Sequence, residues 1–524
     1  MPVHDLVIRN ASIVDGTGAP GHRGSVAIDG TRIAAVGLVP DQGAREIEAD
    51  GRVVCPGFID VHTHSDLMLL AEPAHEPKVR QGVTTDLLGL DGIGYAPLAD
   101  ELQPAFRDYF AALNGDPPIS HDWSTVAGWL DTFEGAAACN AAHHVPHGCV
   151  RAALIGWEDR RATPEELRAM QQITHEAFRD GAIALSTGLD YKPCAFADTD
   201  ELVALSEVAA EFDAPYVPHM RYILGMRDAI RETMAIGRRA GCPVHISHYI
   251  SSGQRWWENL DEADRGIRAG VSLSFDTYAY PAGSSLLHFS FPDWALEGGP
   301  QEMLRRLEDA DTRARIATEM ANRAGDNALE VDRALLSSMP IGPNRHLEGR
   351  MLGEVADERD LEPHAFLVDL VREERGRAAS VFFNDQTDDD FAQIMRHPSH
   401  MVGSDAILLG DAPHPRTYGT YPRFLGRWVR ELGVVPLEAM VRRMTGMPAA
   451  RFGLVDRGVL APGMAADVVV FDADTVIDNA TFEQPRRLPT GIDHVIVNGT
   501  AVIDDSRHTG ATPGRGLRRG RPAE

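Results

Sequence analysis

Apolar and polar positions divide the chain into three textures. In residues 1–55, short β-branched runs such as DLVIRNASIVDG and SVAIDGTRIAAVG are broken by Asp-Gly and Gly, which predicts brief strands joined by tight turns. Residues 456–510 have the same character, with GVLAPGMAADVVVFDADTVI followed by DHVIVNGTAVID. Chain termini often lie close together, so these two pieces are predicted to pair into one small β-sandwich. Residues 56–455 differ: short apolar runs alternate with amphipathic stretches, as in GAIALSTG, DTDELVALSEVAAEF, APYVPHM, DAIRETMAIGRRAG and PVHISHY. Repeated strand-then-helix units imply a parallel sheet, and this many predict an α/β fold of the (β/α)8 TIM-like barrel type. A doubly wound open sheet is the competing architecture, but no Gly-rich phosphate loop follows the first strand. Residues 288–350 break the rhythm with charged, helix-prone sequence and are predicted to form an inserted subdomain on a barrel loop. Residues 511–524, rich in Gly, Arg and Pro, are expected to be a loose tail.

Composition narrows the partners. Among 524 residues, 44% are apolar and 24% charged, as in ordinary globular proteins. No apolar run reaches the ~18 residues of a membrane span, and the first residues lack a basic segment followed by an apolar one. A cytoplasmic location is therefore expected. The net charge of −27 argues against nucleic acid or an anionic membrane as partner. A small-molecule substrate is expected, and a homo-oligomer is compatible with the composition. Five scattered cysteines form no CxxC pair, so no disulfide framework is expected and they read as small buried hydrophobes. The only lysines are Lys78 and Lys192.

The strongest chemical signal is PGFIDVHTHSD at 56–66. Side chains alternate along a strand, so His62 and His64 share a face and can offer two imidazoles to one metal. Alone, an HxH pair is more often two ordinary polar residues. Pro-Gly before the strand and Ser-Asp after it shift the balance towards a metal site at a barrel mouth. His219 in APYVPHM and His248 in PVHISHY each end a further apolar run, whereas His245, three residues earlier, is assigned a structural role. Asp405 in HMVGSDAI ends another run, with Gly403 permitting close approach. Its carboxylate can accept a proton from water and return it to a leaving amine, although a helix cap is an equally good bland reading. Asp91, in TTDLLGLDGIG, taken alone reads as a turn residue.

These motifs resemble the amidohydrolase superfamily and, within it, the D-aminoacylase (N-acyl-D-amino-acid deacylase) family, over about residues 5–505. The HxH at 62–64 and the two later histidines are shared widely. GVTT at 82–85, STGLDY at 186–191, ISHY at 246–249, DTYAYPAGSS at 276–285, GSD at 403–405 and HPRTYGTYPRFLG at 414–426 are more specific. The resemblance implies zinc as cofactor, in one or two divalent sites. It places His219 and His248 as the tightly held ligands, His62 and His64 at a second site, Asp405 as catalytic aspartate, and Tyr278 and Ser284 on the substrate. Two positions depart from the family pattern. Asp91 stands where a ligand cysteine is usual, exchanging a soft thiolate for a hard oxygen that still ligates zinc or other divalent ions. Ile250 stands where a carboxylate-binding lysine is usual, leaving Arg255 as the nearby substitute. The implied activity is hydrolysis of a linear amide, removing the acyl group from an N-acyl-(D-)amino acid. The competing readings are a cyclic-amide hydrolase of the dihydroorotase or hydantoinase type, which would need a carbamylated lysine, a relative using its metal for C–C cleavage, and a catalytically retired binding protein.

Overall fold

The computed structural model describes residues 3–119, 123–250, 256–323 and 330–523. The two ends of the chain meet in one nine-stranded sheet. His4–Ile13 pairs antiparallel with His22–Asp29, which pairs with Arg32–Gly37. Val53–Pro56 joins the two ends by pairing antiparallel with Val468–Phe471, and Ile492–Val497 and Thr500–Asp504 extend the sheet. The alternation read from the sequence explains why it forms. Leu6 and Ile8 face one apolar cluster with Val26, Ile28 and Val468, while Val7 and Ala27 face another on the opposite side.

The middle of the chain pairs in parallel. Phe58–Asp60 lies beside Val83–Leu88, which lies beside Asn140–His143. The chain continues from there against Leu185–Gly188, with Val145 N–H donating to Ala184 O at 2.7 Å. Tyr216–His219, Val244–Ile246, Leu273–Thr277 and His400–Val402 follow in order, each parallel to the last. The final strand then returns to the first. Asp405 N–H donates to His62 O at 2.7 Å, His64 N–H donates to Ala406 O at 2.9 Å, and Thr63 and Ala406 form a parallel bridge. Helices connect successive strands. Pro164–Asp180 starts at a capping box between Thr163 and Glu166 and stops at left-handed Gly181, and Met226–Ala240 buries Ala229, Ile230, Thr233, Met234 and Gly237 along one stripe.

Between Leu273–Thr277 and His400–Val402 the chain makes a long excursion that spans residues 288–350. It carries a three-stranded antiparallel sheet of Ala282–Leu286, Ala379–Phe383 and Ala334–Ser338, and its own apolar core running from Leu287 to Ala378. The tail, expected to be loose, is docked instead. Gly516–Leu517 pairs in parallel with Asn140–His143, Leu517 is buried, and the Arg519 guanidinium donates to the carbonyls of Phe212 and Asp213. Those carbonyls lie at the cap of the helix Thr199–Glu211 and one residue beyond it, so the arginine ties the tail to the turn that ends this helix. Among the described residues no helix is long and apolar enough to cross a membrane.

Candidate metal centre

Residues separated by more than three hundred positions converge where the parallel strands end. His62 and His64 follow Phe58–Asp60, Asp91 follows Val83–Leu88, His219 ends Tyr216–His219, His248 follows Val244–Ile246 and Asp405 follows His400–Val402. One carboxylate oxygen stands at the centre. Asp91 Oδ2 is 3.6 Å from His62 Nε2, 3.6 Å from His64 Nε2, 3.8 Å from His219 Nδ1 and 3.5 Å from His248 Nε2. Asp405 Oδ1 lies 3.3 Å from His64 Nε2 and 3.7 Å from His62 Nε2. His219 Nδ1 and His248 Nε2 are 2.8 Å apart. The donors fall into overlapping sets, His62–His64–Asp91, His62–His248–Asp405 and Asp91–His219–His248, each compact enough for one cation.

Asp91, His248 and Asp405 hold φ values of +53°, +32° and +49°, a left-handed backbone that non-glycine residues adopt at a cost. Three such residues in one small site mark a shape held by its surroundings. Neighbouring glycines make room: a Cβ at Gly188 would lie 2.0 Å from Asp91 O, and one at Gly403 would lie 2.7 Å from His62 Cβ. His62 and Asp91 are almost wholly inaccessible.

Electrostatics agree with a cation site. Burial opposes charge on His62, but the carboxylates of Asp91 and Asp405 overcome it and raise the imidazole well above its usual value. Burial likewise opposes ionisation of Asp91, yet His62 and His248 hold it well below the carboxylate range. His219 is lifted to about 9, against burial, by its bond to Asp190 and by Asp91. Both ring nitrogens of His62 and Asp91 Oδ1 are buried without a hydrogen-bond partner. Unsatisfied donors and acceptors in such a cluster are costly unless something else engages them. A divalent ion fits: it takes neutral imidazoles and ionised carboxylates as ligands and neutralises the charge gathered here.

Surrounding residues orient the donors. Asp190 Oδ2 lies 3.1 Å from His219 Nε2, fixing which nitrogen faces Asp91. Asp276 accepts from His248 N–H at 3.1 Å, bonds His245 Nε2 at 3.0 Å and approaches His62 Nδ1 at 3.9 Å. His245 also bonds Ser274 Oγ at 2.8 Å, so it braces Asp276 from below. Arg416 is buried, with Nη1 2.9 Å from Asp405 Oδ2 and its guanidinium stacked 4.3 Å over the Tyr278 ring. Its Nε has no hydrogen-bond partner.

The expected substrate residues occupy varied places. Tyr278 is buried beside Arg416. The Ser284 hydroxyl donates to Ser380 O, across its antiparallel ladder, while its neighbour Ser285 bonds Tyr191 OH at 3.1 Å, and the Tyr191 ring packs 4.8 Å from His219. Arg255 lies outside the described residues. Sequence reasoning missed Asp190, Asp276 and Arg416. The STGLDY, DTYAYPAGSS and HPRTYGT segments contain them, but nothing in their spacing singles out these side chains.

Comparison with known proteins is consistent across sequence and structure. A family model described as the amidohydrolase family matches residues 45–503. A D-aminoacylase of Alcaligenes xylosoxydans xylosoxydans is 37% identical, with 98% of each chain covered. An N-acyl-D-glutamate deacylase of the same organism is 35% identical over 98% of this chain and 96% of its own. The solved structure of an N-acyl-D-glutamate deacylase from Bordetella bronchiseptica, complexed with zinc and a phosphonate that mimics the tetrahedral intermediate, superposes with a TM-score of 0.83. It is 33% identical, over 98% of this chain and 99% of that one.

Proposed function

The chain belongs to the amidohydrolase family, within its D-aminoacylase group, and from that premise we propose that it is a zinc-dependent deacylase of N-acyl-D-amino acids. The observation that carries the reading is Asp91 Oδ2 set among four imidazole nitrogens, with a second carboxylate facing the same histidines. The continuous parallel pairing, returning through the Thr63–Ala406 bridge, supports a closed (β/α)8 barrel with this site at its mouth. The shared terminal sheet supports a β-sandwich flanking it.

In this reading Asp91, His219 and His248 would hold one divalent ion, and His62 and His64 would offer ligands for a second. When bound, the metal supplies a Lewis acid that polarises an amide carbonyl and makes a water proton easier to remove. The rest follows from the chain's own groups. Burial opposes ionisation of Asp405, but Arg416 and His62 keep its carboxylate charged, so it can accept the proton of the attacking water. The same carboxyl then protonates the departing nitrogen, which completes acyl transfer to water and frees the amine. Arg416, with an uncommitted N–H in an enclosed site, and Tyr278 beside it are suited to the substrate's carboxylate. Arg416 thereby offers a cation where Ile250 removes one.

Neither lysine supports the cyclic-amide alternative. Lys192 pairs with Asp293 at 2.6 Å, and Lys78 bonds Asp60 and Ser404, so neither is placed to carry a bridging carbamate among the histidines. The test is a hydrolysis screen of the zinc-loaded protein on N-acyl-D-amino acids, N-acyl-L-amino acids, dipeptides and hydantoins. Release of free D-amino acid is expected, and ring opening without deacylation would overturn the assignment.

A further inference from the structure

Lys78, on the short helix Glu76–Val79, is wholly buried directly behind the site. Its ammonium donates to Asp60 Oδ2 and, at 2.8 Å, to Ser404 Oγ, and stands 3.6 Å from Asp86 Oδ1. An ammonium has three protons to give, and three acceptors surround this one. Asp86 is held in turn by His75 Nε2 at 2.7 Å. His75, Asp86 and Cys139 are close enough to resemble a cation site, but the ammonium already supplies the positive charge there.

The partners lie on two different strand ends. Asp60 precedes His62 and His64, and its Oδ1 accepts from His62 N–H at 3.2 Å and from Ser404 N–H at 2.9 Å. Ser404 precedes Asp405, and its Oγ accepts from Ala406 N–H at 3.2 Å while lying 3.3 Å from His62 O. These are the first and last parallel strands, joined by a single bridge at Thr63–Ala406. Two backbone hydrogen bonds cross this seam, Asp405 N–H to His62 O and His64 N–H to Ala406 O, and the Asp60 and Ser404 side chains add further bonds across it.

We infer that Lys78, Asp60 and Ser404 form a positioning unit that closes this seam and sets the spacing between His62 and His64 on one side and Asp405 on the other. The unit touches neither substrate nor reacting atoms. An apolar side chain of similar volume could fill the space with equal stability, because burying a charge pair is expensive. It could not hold two strand ends in register through directed bonds. Small displacements of reacting groups are costly, up to roughly a hundredfold in rate for about 1 Å.

This inference rests on the metal-centre reading above, and the test separates the two. Ser404→Ala removes the hydroxyl's bonds to Lys78 and His62 O while leaving its backbone bond to Asp60 and the Lys78–Asp60 pair, and Lys78→Met/Asp60→Asn removes the pair and leaves Asp86 to His75. Both are measured as zinc-loaded full-length proteins beside wild type for zinc content, thermal midpoint, steady-state kinetics on N-acetyl-D-methionine and the visible spectrum after cobalt substitution. Ser404→Ala is expected to lower kcat by about tenfold or more with KM within about twofold, and to shift the cobalt bands. The double variant should lose more, and if it fails to fold, Ser404→Ala decides alone. A lower thermal midpoint with unchanged kcat and cobalt spectrum would show a purely structural role and overturn the inference. Wild-type protein that takes up no zinc would refute the metal centre and this inference together.

Discussion

Replacing Asp405 with Asn isolates the proton-transfer step from metal binding. The carboxylate has Oδ1 3.3 Å from His64 Nε2 and Oδ2 2.9 Å from Arg416 Nη1. The amide keeps the shape but cannot accept a proton from water or pass one to the leaving nitrogen. Loss of a positioned general acid–base group costs roughly 10²–10⁴ in rate, and in the proposed mechanism one group serves both halves of the reaction, so a fall in kcat towards the upper end of that range is expected. This equals about 4–5.5 kcal/mol of transition-state stabilisation. The fold also suffers. Arg416 is fully buried and Asp405 is its ion-pair partner, so the variant leaves an uncompensated cation, a change that typically costs about 3–5 kcal/mol. Activity must therefore be measured well below the variant's melting temperature, with far-ultraviolet circular dichroism and zinc content recorded on the same sample. Zinc should stay bound, because Asp91, His219 and His248 are untouched. A folded, zinc-loaded Asp405→Asn protein with kcat within tenfold of wild type would refute the role given to this carboxylate.

Three further outcomes follow from the same geometry. Asp91→Cys exchanges a hard oxygen for a thiolate and should tighten zinc roughly tenfold or more in chelator competition while weakening harder ions such as manganese; equal or weaker zinc binding would count against Asp91 as a ligand. Asp190→Asn removes the carboxylate that orients His219 and should weaken zinc by about 10–100-fold; unchanged affinity would show that packing alone orients this ring. Burial lifts the Asp66 carboxyl to about 7, against the hydrogen bond it accepts from Gly89. An acid whose folded value lies above its unfolded one favours its neutral form, so Asp66 costs nothing below about pH 4, increasingly more up to about 7, and at most about 4 kcal/mol above that. Asp66→Asn should therefore gain stability relative to wild type between pH 5 and pH 8 in urea melts, and a difference that stays flat with pH would contradict the assignment.

What the sequence disclosed depended on whether a signal was local. His62 and His64 were legible because period-two alternation and the flanking Pro-Gly act within a few residues. His219, His248 and Asp405 were legible because each ends an apolar run, and a parallel α/β arrangement gathers such ends. Asp91 alone read as a turn residue, and became a candidate ligand only through the family resemblance. Its central place among four imidazoles depends on the strand order and on the space left by Gly188, both non-local facts. Arg416 and Lys78 were out of reach for the same reason. A buried cation looks like any other in sequence, and its meaning lies in partners over ten positions away for Asp405 and over three hundred for Ser404. The tail misled because its Gly, Arg and Pro content resembles a linker. Its order comes from Leu517 in a buried slot and from Arg519 on the carbonyls of Phe212 and Asp213.

The proposed chemistry depends on a metal held by Asp91, His62, His64, His219 and His248. Elemental analysis of the purified protein, beside a His219→Ala/His248→Ala variant shown to be folded, tests it most directly. The expected result is at least one equivalent of zinc or another divalent ion per wild-type chain, with a stoichiometric loss in the variant. A wild-type chain that carries no divalent metal after equilibration with zinc, or a variant that retains the full complement, would contradict it.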